Sequence, residues 1–146
     1  MKPRTAWPVL AKKAQEKSHA AQMALNRERE RFKQLQVSRE RMVNLYADYL
    51  QRSRDAEGKT HNMVETMNAR GFMRQIQQLI ARVDSDLQQA AQHLQKVRDA
   101  WRDAEKTRIK LETLMQEDLK RVDEYHRKRE QRDMDTTGVM LHNLKH

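Results

Sequence analysis

Glycine and proline are nearly missing from this chain, and the places where they do stand decide what it can fold into. The 146 residues hold three glycines, Gly58, Gly71 and Gly138, and two prolines, Pro3 and Pro8. These are the residues that interrupt helices most strongly. Between Pro8 and Gly58, and again between Gly71 and Gly138, nothing in the backbone chemistry stops a helix. Thr5 is a candidate cap, and Pro8 falls in a first turn, where its missing N–H leaves no bond unmade. Helices are expected over 6–52 and 71–134, with a connector over 53–70 and a flexible tail over 135–146, in a single coiled-coil domain spanning 1–146.

A long helix needs something to bury, and the apolar residues supply a pattern for it. Alternating steps of four and three from Trp7 give Ala11, Ala14, Ser18, Ala21, Leu25, Glu28, Phe32, Leu35, Arg39, Met42, Tyr46 and Tyr49. The same steps from Ile76 give Ile80, Val83, Leu87, Ala90, Leu94, Val97, Trp101, Ala104, Arg108, Leu111, Met115, Asp118, Val122 and Tyr125. Each series carries two charged residues, in segments otherwise rich in Arg, Lys, Glu and Gln. These are heptad seams. Helices this polar are weakly stable alone in water, so each seam must pair, and the nearest partner is the other one. The expected fold is all-α, an antiparallel two-helix coiled-coil hairpin with a short irregular or helical connector. Both chain ends lie at one tip of it and the connector at the other.

Composition agrees with a thin structure. The chain is 37% apolar and 35% charged, against roughly 45–50% and 25% in ordinary globular domains. Such a mixture cannot wrap a thick core. Cysteine is absent, which excludes disulfides, thiol nucleophiles and zinc–cysteine sites. No apolar run approaches the ~18 residues of a membrane span, and a cytoplasmic location is expected. The net charge of +9 is concentrated in the first third.

Chemistry has little to work with. A two-helix pair offers no pocket, and Asp84 with Asp86, or Asp133 with Asp135, are two apart and point away from each other on a helix. No enzymatic activity, cofactor or metal is expected. His142 and His146 share a metal-ligand spacing but lack a third ligand. Arg27, Arg29, Arg31, Lys33, Arg39 and Arg41 could attract phosphate. Glu28, Glu30 and Glu40 interleave with them, however, so a solvated face or an acidic protein partner suits the stretch better than nucleic acid. The charged seam residues Glu28, Arg39, Arg108 and Asp118 read as devices that fix register, with Glu28 and Arg108 a candidate pair.

The richest segment flanks the connector: Met42, Leu45, Tyr46, Tyr49 and Leu50 before it, Phe72, Met73, Ile76, Leu79 and Ile80 after it. Leu45, Leu50 and Leu79 lie off the strict seams, and one helix pair cannot bury all of these residues. An apolar remainder marks a binding patch.

Several segments, in order and spacing, resemble one family: an N-terminal "L…A", "LYADYL" before the break, "FMRQIQQLIARV" after it, then "AWRDAEKTRIKLETL" and "RKREQRDMDT". Over nearly its whole length the chain resembles the FliJ family of the bacterial flagellar type III export apparatus. The resemblance implies an antiparallel coiled coil like the central stalk of rotary ATPases. It also implies a role linking the cytoplasmic export ATPase ring to the membrane export gate, peripheral to the membrane through those partners, with export chaperones as further partners and a monomeric state. The family's gate-binding surface falls on Met42, Tyr49, Phe72, Ile76, Leu79 and Val83. Where the family commonly has a tyrosine four before Tyr49, this chain has Leu45, with the tyrosine displaced to Tyr46, which joins the surface. Ser38 replaces a family amide. For the ATPase end the matching positions are Lys12, Lys13, Arg127 and Arg129. Stalk proteins of virulence secretion systems share the architecture, and a self-associating coiled coil is the other alternative. The connector cluster and the Met134–Asp135 ending favour the flagellar family.

Overall fold

A computed structural model of the chain describes residues 2–55 and 63–145. Two helices account for almost all of them: α1, Ala6–Asp55, and α2, Met63–Leu144, packed against each other, with no strand among the described residues. The seams are what they bury. Of the α1 series only Arg39 is exposed, and of the α2 series only Tyr125. Contacts gather into two compact units, a terminal one of Met1–Ala21 with Trp101–His146 and a central one of Gln22–Ala100.

In the terminal unit the core is made of small residues. Ala11, Ala14 and Ser18 of α1, with Ala104, Asp118 and Val122 of α2, are buried, while Trp7 and Trp101 are half-buried. Both indole N–H groups are enclosed and have no hydrogen-bond partner among the described residues. Arg4 donates its backbone N–H to Asp118 Oδ2 at 2.9 Å, and Ser18 Oγ donates to Glu105 Oε1 at 2.7 Å. As the chain advances from Arg4 to Ser18, its partners retreat along α2, which makes the pairing antiparallel. Thr5 is the expected cap, yet its hydroxyl makes no hydrogen bond among the described residues. The start of the chain is tied down by Asp118 instead.

In the central unit Leu25, Ile76, Val83 and Ala90 form the core. The cross-helix partners of Glu28, Arg39, Tyr46 and Tyr49 are His93, Asp84, Gln77 and Phe72, stepping backward along α2 without a slip. This register corrects the candidate pair of Glu28 with Arg108. Glu28 Oε1 lies 3.3 Å from His93 Nε2, and Arg108 bonds Glu105 and Glu112 on its own helix. Three of the four charged seam residues, Glu28, Arg39 and Asp118, bond to the opposite segment of the pair.

The helices run past the expected bounds. α1 continues to Asp55, where Gln51 donates to the Asp55 carboxylate four residues on, at 3.0 Å, and Arg52 and Arg54 sit favourably at the helix C-terminus. α2 begins at Met63, not 71, and passes straight through Gly71. The tail expected to be flexible is helical to Leu144, through Gly138. A single glycine costs only about 1 kcal/mol in a helix, which flanking good helix formers offset. The remaining connector residues, 56–62, lie outside the described residues, as does His146, one of the two candidate metal histidines.

Candidate partner-binding face

The residues flanking the connector divide into two groups. Ile76 and Val83 are 3% and 8% exposed, locked into the central core. Met42, Tyr46 and Tyr49 are half-buried. Phe72 and Leu79 are 39% and 43% exposed, and Leu45 is 42% exposed. The expected surface thus mixes residues that hold the helices together with residues that face outward.

The outward group has a simple geometric origin. Leu45 stands one residue before the seam residue Tyr46, Leu79 one before Ile80, and Phe72 one before Met73, which carries the α2 seam one step back from Ile76. In an antiparallel pair the positions just before the seam on both helices line the same flank. Leu45, Phe72 and Leu79 therefore form an apolar strip along one edge of the central unit.

That strip has rigid backing. The rings of Tyr49 and Phe72 lie 4.7 Å apart at 46°, a favourable tilted aromatic pair. The Arg52 guanidinium sits 5.7 Å from the Tyr49 ring centre, a cation–π contact. Gln77 Nε2 donates to Tyr46 Oη at 2.9 Å. Tyr46 and Tyr49 thus bridge the two helices and position Phe72. Leu45 is the residue that a reading along the seams passes over, because it is neither in the seam nor aromatic. An off-seam leucine in a polar stretch is the one signal it leaves in the sequence.

The four cations assigned to an ATPase are all exposed, in the terminal unit. Lys12 and Lys13 follow the buried Ala11 on α1. Arg127 lines a shallow groove with Glu124, Lys128 and Gln131, on the part of α2 beyond Val122, where every described residue is exposed. The structure does not bring the two pairs together. The bonds of Arg4 and Ser18 place Lys12 level with the region of Leu111, and the stretch from Leu111 to Arg127 is roughly 24 Å of helix.

The terminal unit also holds a charge network. Glu105 accepts from Ser18 and from Arg108, whose Nη2 lies 2.8 Å away, and Arg108 Nη1 reaches Glu112 at 3.0 Å. Arg108, then Ser18, hold the Glu105 carboxyl below its ordinary value of 4.5, and Glu105 and Glu112 hold the Arg108 guanidinium above its own. The Ser18–Glu105 bond ties the two helices to each other, and Arg108 holds the Glu105 carboxylate in place from its own helix. Beside Arg4 and Trp7 a shallow groove of about 510 Å³ is lined chiefly by α2 residues, including Leu114, Glu117 and Arg121. No described helix is long and apolar enough to cross a membrane. Among the described residues no group of three or more His, Asp or Glu is placed to hold a metal.

Residues 8–146 match the family model described as "Flagellar FliJ protein". Neither a curated protein nor a solved structure matches the chain.

Proposed function

The chain belongs to the flagellar FliJ family, and from that premise we propose that it couples the export ATPase to the export gate. A FliJ protein is a component associated with flagellar protein export. Within that setting the strip Leu45, Phe72 and Leu79 docks on the cytoplasmic domain of the gate. Tyr46, Tyr49, Met42, Ile76 and Val83 act behind it, as the packing that holds the strip in place. The terminal unit, through Lys12, Lys13, Arg127 and Arg129, faces the ATPase. The protein works as a cytoplasmic monomer, reaches the inner membrane through its partners, and assists chaperone and substrate export.

The observation that carries the gate assignment is the exposure of three large apolar side chains, Leu45, Phe72 and Leu79, together on one flank of the helix pair. Leaving them in water is unfavourable by an amount that burial against a partner recovers, about 25 cal/mol per Å². The test is made in cells lacking the native protein. Phe72→Ala/Leu79→Ala, expressed at the wild-type level, is expected to give a markedly smaller swimming halo and less exported flagellar protein. A wild-type halo would sink the assignment.

A further inference from the structure

The outer face of α1 in the central unit carries cations that the fold does not use. Arg27, Arg29, Arg31, Lys33 and Arg41 are all exposed, and none takes part in an ion pair among the described residues. Neighbouring charges at seam positions behave differently: Arg39 is paired with Asp84 and Glu28 with His93. The pairing of the helices therefore consumes the seam charges and leaves the outer ones free.

The free cations are ordered. Arg27, Arg31, Gln34, Ser38, Arg41 and Leu45 recur at alternating four- and three-residue steps, so they lie along one helix face. A shallow groove of about 360 Å³ runs along that face, lined by Lys33, Gln34, Ser38 and Arg41, by Val37 as its apolar member, and by one carboxylate, that of Glu30. Val37 is 39% exposed. The face thus offers fixed positive charge, an apolar side chain in Val37 and, at one end, the exposed Leu45.

We infer that this face of α1 docks an acidic segment of a partner protein, one with carboxylates spaced to meet Arg27, Arg31 and Arg41 and an apolar side chain seated over Val37 or Leu45. Arginine guanidinium groups match carboxylates in a two-pronged geometry, which gives the contact direction as well as charge. A nucleic acid fits less well. Glu30 and Glu40 on α1 and Asp86 on α2 interrupt the positive surface, and a continuous phosphate chain must pass over them, whereas a peptide can place its carboxylates between them. The face also has no aromatic ring for bases to stack on, since Phe32, Tyr46 and Tyr49 are half-buried at seam positions. Leu45 is shared with the strip of Phe72 and Leu79, so the two surfaces adjoin there, while Arg27, Arg31, Val37 and Arg41 lie outside that strip.

The experiment uses the full chain and three labelled probes followed by fluorescence anisotropy. The first is a peptide with glutamates at three- and four-residue spacing around one leucine. The second is the same peptide with every glutamate replaced by glutamine. The third is an oligouridylate of equal charge. The acidic peptide is expected to bind about tenfold or more tighter than its neutral twin, with an affinity that falls as salt rises. Arg27→Gln/Arg41→Gln is expected to remove about the same factor, while Lys106→Gln/Lys110→Gln, an equal loss of charge on exposed residues of α2, leaves binding within about twofold. Unchanged thermal melting by circular dichroism shows that each variant keeps its fold, as expected for exposed positions. Equal binding of the acidic and neutral peptides, or equal losses in the two double variants, would overturn the inference. Tighter binding of the oligouridylate than of the acidic peptide would overturn it in favour of a nucleic-acid surface.

Discussion

At the scale of single residues the seams are closed by polar groups as much as by apolar ones. Asp118 is 4% exposed and holds the Arg4 N–H and the Arg121 guanidinium. Replacing it with alanine removes the acceptor of the Arg4 N–H and the partner of Arg121, so Asp118→Ala is expected to lower stability by about 1 kcal/mol in urea titration. A loss below about 0.5 kcal/mol would mean that Arg4 finds another acceptor. Glu105 makes a second prediction, through pH. Its carboxyl is held below 4.5 in the folded state, so its stabilising effect is complete above the unfolded value and disappears as pH falls through the folded one. The melting temperature should drop as pH falls below about 4.5, and the gap between wild type and Glu105→Gln should narrow over the same range. A gap that stays constant would contradict the network with Arg108 and Ser18. That Glu28, Arg39 and Asp118 belong to the pairing is legible from their place in the heptad. Their partners are not, because register depends on how two distant segments align and each seam alone permits several alignments.

At the scale of elements the chain's local chemistry is helical almost without interruption. The start of α1 at Ala6 can be read from Pro8 and the residues before it. The ends cannot be read in the same way from glycine, because one glycine among good helix formers does not stop a helix. Gly71 and Gly138 lie inside α2, where an added Cβ would meet nothing within 4 Å. A glycine in a helix interior that touches nothing is only a loss of helix propensity. Gly71→Ala is accordingly expected to stabilise the protein by about 1 kcal/mol. Thermal melting checks this, and destabilisation would show that the backbone at this point needs the freedom of glycine. The exposed end of α2 is the other departure. Described residues beyond Val122 stay helical to Leu144 although all are exposed, and Val139, Met140, Leu141 and Leu144 lie open at 55% or more. Periodicity cannot foresee this, since the Tyr125 end of the seam marks where packing stops and not where the helix does.

At the scale of the whole molecule, the residues that make the helices pair and those free to meet a partner are different residues. The heptad pattern names the first set almost completely. The second set is only partly legible: Leu45 and Leu79 stand out in the sequence by lying off the seams, but exposure is needed to separate Phe72 and Leu79 from Ile76 and Val83, which the resemblance puts on the same surface. Membership of the FliJ family gives the setting, flagellar export, and the strip of Leu45, Phe72 and Leu79 is the place on the chain proposed to meet the gate. The most direct measurement is a calorimetric titration of the full chain with the cytoplasmic domain of the export gate from the same organism. Wild type is compared with Phe72→Ala/Leu79→Ala, and the melting of both is recorded. The expected result is an affinity about tenfold or more weaker in the variant, the scale set by two apolar anchors of an interface, with melting changed by a few degrees at most. An affinity equal to that of wild type, in a variant that remains folded, would contradict the account.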